Sequence, residues 1–165
     1  MVATIFPWVR MAHILFAALW FGAAAFLTLY LLPALRQLGP AGNPTLHALH
    51  QRGLHRFMAA STGLTVLSGL WLYWTLTAGF DARVVSSHMG LVFGLGGLAG
   101  LTAAILGGAV IGRSVAQLNM LSASPEAVAS QGQIMALQRR IAMTSRLALA
   151  LLVIALLAMT LGHAF

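Results

Sequence analysis

Cysteine and lysine are absent from the 165 residues, and there are only two carboxylates, Asp81 and Glu126. Without cysteine there are no disulfides, iron–sulfur clusters, thiolate metal sites or covalently attached c-type haem. Two carboxylates in separate connecting segments cannot form a paired acid/base site. The chain also lacks a phosphate loop, a dinucleotide fingerprint and any nucleophile–base arrangement. Hydrolases and primary pumps are disfavoured on these grounds.

Charge of either sign is scarce, with 7% charged residues against 60% hydrophobic. That balance lies outside ordinary soluble domains. Four stretches carry no Asp, Glu, Lys or Arg: 11–35, 57–80, 84–112 and 147–165. Each can cross a hydrocarbon core of about 30 Å, which takes roughly 20 helical residues. The first stretch has no basic start ahead of a short apolar run, so it reads as a retained helix, not a signal peptide. The expectation is an all-α fold: a single domain forming an integral membrane four-helix up-and-down bundle. Helices are expected at about 9–32, 53–79, 84–113 and 138–163, with a cytoplasmic hairpin extension over about 113–138.

Local signals mark the ends of these spans. Pro33 is expected to stop the first, and Gly39-Pro40-Ala41-Gly42-Asn43-Pro44 reads as a turn-rich connector. Leu46, Leu49, Leu54 and Phe57 extend the second helix back to near Thr45. Trp71, Tyr73 and Trp74 match an aromatic belt at the other end of that span. Ser86 and Ser87 are candidate caps for the third helix. Ser124-Pro125-Glu126 resembles a further helix start, with proline at the first helical position.

The net charge of +7 comes from nine arginines. Arg36, Arg52, Arg56, Arg113, Arg139, Arg140 and Arg146 flank the first and third connections, leaving only Arg10 and Arg83 on the other side. By the positive-inside rule the first and third connections are cytoplasmic and both termini lie outside. The charge is therefore a topology marker, and the partner it implies is the lipid bilayer, with no nucleic acid.

Ionisable groups inside a membrane are costly and default to a functional role. His13 follows Arg10 by three positions and His88 follows Arg83 by five, each near the outer end of its span. The expected difference in depth is only a few ångströms at about 1.5 Å per residue. The first and third helices are diagonal neighbours in an up-and-down bundle, so two inward imidazoles there can hold one haem b iron between them. Ser86, Ser87 or a backbone carbonyl would anchor the second ring nitrogen, and Arg10 and Arg83 would pair with the propionates. Trp20 and Phe16 share a face with His13 and either pack against the macrocycle or serve as ordinary bundle packing.

Other readings stay open. Met11 and Met89 lie close to the two histidines, and thioether with imidazole suits copper. His47, His50 and His55 read as a solvated helix end or a second metal site, and His163 as a frayed terminus. The third span is rich in glycine, which suits either tight helix packing or a flat cofactor. A cofactor-free subunit of a larger complex fits that too.

Trp8-Val9-Arg10-Met11-Ala12-His13-Ile14-Leu15 followed by Leu19-Trp20-Phe21-Gly22 resembles the opening helix of the copper-resistance D family of integral membrane proteins. Membrane-integral protoporphyrinogen oxidases of bacteria open similarly. The likeness continues through Arg56-Phe57, Leu67-Ser68-Gly69-Leu70 and Ser145-Arg146-Leu147. In the oxidases a first-helix histidine and a lysine opening the third helix form the key polar pair. His13 matches the first; His88, before Met89-Gly90-Leu91-Val92, stands where the lysine would be. The resemblance thus implies a haem site in a bacterial inner-membrane protein and departs from the oxidase at a functional position. The expectation is a b-type cytochrome-like oxidoreductase passing single electrons between the quinone pool and a periplasmic acceptor, with a homodimer plausible for so short a chain.

Overall fold

The computed structural model describes residues 2–123 and 130–162. The expected helix start at Ser124 and the terminal His163 lie outside the described residues. All regular structure among the described residues is helical.

Helix α1 (Val2–Phe26) passes into a π-helical stretch over Leu27–Leu31 and continues as α2 (Leu32–Gln37). Two expectations are corrected here. The helix begins seven residues before Val9, and Pro33 does not end it. Proline has no N–H to give to the carbonyl four residues earlier and crowds it. The wider π turn just ahead absorbs that defect, with the Leu32 amide bonding the Leu27 carbonyl.

A 3-10 turn (Gly39–Gly42) leads to α3 (Asn43–Gln51), and α4 spans Leu54–Leu76. The second helix is therefore not continuous from Thr45. The chain bends at Gly53, whose φ of +84° favours glycine. Within α4 the hydroxyls of Ser61 and Thr65 donate to carbonyls four residues back. Their polarity is thus met inside their own helix.

At the far end Thr77 is fully buried and accepts the Phe80 amide. Asp81 caps the short α5 (Ala82–Val85) through the Arg83 amide. Ser87 caps α6 (His88–Ile105), accepting the Gly90 amide at 3.1 Å. That bears out one of the two serine caps expected for the third span. Ser87→Ala is expected to destabilise the protein by about 1 kcal/mol, as loss of an N-cap does. A lowered unfolding midpoint in detergent would show it.

Helix α6 runs through a second π stretch (Leu106–Gly112) into α7 (Arg113–Ala123). The last helix, α8, covers Gln131–Leu161 and starts earlier than expected. The principal pairs are α1 with α4 and α6 with α8; α4 also meets α6, and α1 meets α8, leaving α1 and α6 diagonal.

Trp20, Ala103, Ala148 and Leu152 form the buried core, with Phe21, Ala24 and Met58 packed against it. Small residues bring α6 and α8 together, since a Cβ on Gly96 would lie 2.8 Å from that of Ala158. Large apolar side chains such as Trp8, Leu15, Leu67, Leu95 and Leu157 point outward instead. Small and hydroxylic groups inside with bulky apolar groups outside is the arrangement of helices solvated by lipid. Three helical stretches are long and apolar enough to cross a bilayer: Thr4–Gln37, His88–Leu121 and Gln131–Leu161.

Candidate functional site

His13 sits in the interface between α1 and α4. Its Nδ1 lies 3.0 Å from the Thr65 carbonyl and 3.1 Å from Ser68 Oγ. Ser68 already donates its hydroxyl proton to the Leu64 carbonyl, and the Thr65 carbonyl can only accept. The proton of the neutral imidazole is therefore assigned to Nδ1, which donates to both, and the lone pair falls on Nε2. Gly69 makes the seat, because a Cβ there would come within 2.8 Å of His13 Cε1. No described residue hydrogen-bonds Nε2.

His88 stands elsewhere. It is the first residue of α6, exposed, and followed by the exposed Met89. Helix α4 serves as a ruler for depth. His13 contacts it at Thr65 to Gly69, whereas the Tyr73 hydroxyl donates to the Gly90 carbonyl at 3.1 Å, and His88 lies further out still. Counting 1.5 Å per residue, the two imidazoles differ in depth by on the order of 10 Å. The expectation of matched depth is thus corrected. It took Arg10 to mark the membrane boundary, but α1 continues past it to Val2.

The accessory residues separate in the same way. Arg10 lies three positions before His13, exposed toward the N-terminal end of α1; Arg83 is exposed on α5. Trp20 is 6% exposed within the bundle core, so it packs against protein, and the bundle-packing alternative holds for it. Phe16 is half-buried. Met11 and Met89 are 56% and 47% exposed, and among the described residues no three His, Asp or Glu side chains converge. His50 and His55 stack at 4.5 Å between ring centroids where α3 meets α4.

Thr65, Ser68 and Gly69 are the partners that the sequence reading left without a role. The available signal was spacing: Ser61, Thr65 and Ser68 recur at four and three residues, so they share one helical face.

No protein family model, no curated protein and no solved structure matches the chain.

Proposed function

We propose that the chain is a four-span protein of the bacterial inner membrane, both termini periplasmic, that binds haem b through His13 and takes part in one-electron transfer. The supporting observation is the fixed imidazole: Nδ1–H held by the Thr65 carbonyl, with the Nε2 lone pair left over. Ligating histidines are usually oriented in this way, their second nitrogen donating to a carbonyl that fixes the tautomer and raises basicity. Haem, when bound, supplies reversible one-electron chemistry with the quinone pool and a periplasmic acceptor as its partners.

This chain's own residues do the rest. Ser68 and Thr65 orient the ring, Gly69 lets it lie against α4, and Arg10 offers a guanidinium toward the outer end for a propionate. The donor set would supply one imidazole nitrogen, that of His13, to hold the haem iron. His88 does not fit as the opposite ligand in the same chain, given its exposure and depth, so the bis-histidine form is not carried forward. Copper handling has less support, since among the described residues no convergent donor set accompanies Met11 or Met89. Helix α4 is proposed as the fourth span, its hydroxyls being satisfied within it. Kinship with the copper-resistance D family is part of the same proposal.

A cofactor-free packing subunit is the second reading, favoured by the core around Trp20, which is filled with protein side chains. A visible spectrum of the detergent-purified protein, before and after dithionite, separates the two. A reduced α-band with one haem per chain is expected; a colourless protein from haem-replete cells would support the packing subunit and overturn haem binding.

A further inference from the structure

A cleft opens between the end of the first span and α8, lined by Thr28, Leu32, Pro33, Arg36, Ser145 and Arg146. It encloses about 10 Å³, room for an atom or two of a larger ligand and not for a whole one. Two guanidiniums face it from different helices. Arg36 lies in the last turn of α2 and also donates to the Gln138 carbonyl at 2.7 Å, which ties it to α8. Arg146 lies just before the charge-free stretch of α8.

Among the described residues neither arginine meets a carboxylate. Asp81 is the only carboxylate among the described residues, and it caps α5 at the opposite end of the bundle. No described residue supplies an anion for this pair. Leu29, Tyr30, Met143 and Leu147 beside the cleft are all more than half exposed, so apolar surface continues from it along the outside of the helices. A ligand suited to both features carries a negative phosphate and a hydrocarbon tail.

We propose that Arg36 and Arg146 bind the phosphodiester of an anionic phospholipid, with an acyl chain lying along Leu29 and Leu147. Arginine suits this because its fork binds two phosphate oxygens at once and it is not deprotonated. Basic pockets between helices on the cytoplasmic side are where such headgroups are recognised. Pro33 and the π stretch before it shape one wall, and Ser145, buried in the other, offers a hydroxyl. The proposal does not depend on haem, and its test uses no chromophore.

Native mass spectrometry of the full chain in detergent, titrated with phosphatidylglycerol, measures the effect. One retained lipid per chain is expected, with affinity falling about tenfold in Arg36→Gln and in Arg146→Gln, as for loss of one charge-assisted hydrogen bond. Arg146→Lys should lose less than Arg146→Gln, and Arg113→Gln, which removes a charge from the same end but outside the cleft, should bind as the parent does. Circular dichroism of each variant checks that the helices persist; if Arg146→Gln fails to fold, Arg36→Gln and Arg146→Lys carry the comparison. Equal binding of zwitterionic phosphatidylcholine, or equal loss in Arg113→Gln, would overturn the proposal. Full displacement by inorganic phosphate would mark a free-phosphate site and overturn it equally.

Discussion

His13→Ala is expected to yield a folded, colourless protein. On the proposed function, removing the imidazole takes away the nitrogen that would hold the haem iron, and haem content should fall by well over tenfold. Even groups that only orient a ligand cost about ten- to a hundredfold when removed. Stability should respond far less. The bonds lost are those from Nδ1 to the Thr65 carbonyl and Ser68 Oγ, and an interhelical hydrogen bond in a membrane protein is worth about 0.6 kcal/mol, at most about 2. Thr65 and Ser68 are not orphaned, since both belong to bonding networks within α4. The informative quantity is therefore the ratio of haem loss to stability loss. His88→Ala, by contrast, should retain the α-band, because His88 sits at the exposed start of α6. Loss of the band in His88→Ala alone would show that the His13 assignment is mistaken.

A second substitution should be worse for folding than any change at the candidate site. At Gly90 an added Cβ would fall 2.1 Å from the Val84 carbonyl oxygen and 2.7 Å from that of Val85. Those atoms are backbone, closing the bend between α5 and α6, and cannot rotate away as a side chain can. The Gly90 amide is also the one that Ser87 caps, and its carbonyl receives the Tyr73 hydroxyl from α4. Gly90→Ala should therefore destabilise the protein by about 3 kcal/mol, the upper range for overpacking. Gly97 provides the control. It lies seven residues along the same helix with nothing within 4 Å of its Cβ position. Gly97→Ala should be neutral or stabilising by up to about 1 kcal/mol, because alanine restricts the unfolded chain more. Unfolding midpoints in one detergent would measure both.

The helical class was legible in the composition, because uncharged runs of such length leave few alternatives. The cap at Ser87 could be read as well, since serine before an apolar run has a local meaning. What eluded the sequence was set by contacts between helices. Pro33 looked like a terminator because proline's local effect is strong; only the preceding π turn lets the helix continue. Arg10 looked like a boundary, yet a long side chain can extend away from the apolar part of a helix that runs on past it. The depth of His13 was misjudged for that reason. Its partners were hidden because Ser68 and Thr65 resemble hydroxyls that merely bond their own helix, which they also do. Trp20 lay on the anticipated face, but it packs against Ala103, Ala148 and Leu152 in the core.

The π stretches over Leu27–Leu31 and Leu106–Gly112 have a meaning apart from packing. A π turn holds one residue more than the α turn it replaces. Each stretch therefore has the form of a single-residue insertion that has been accommodated locally, leaving the faces before and after it in their original phase. Both lie against α8. Two of the chain's long helices have in this sense been lengthened beside the same neighbour, each at a place within the helix where a residue can be gained or lost without turning every later side chain away from its partner.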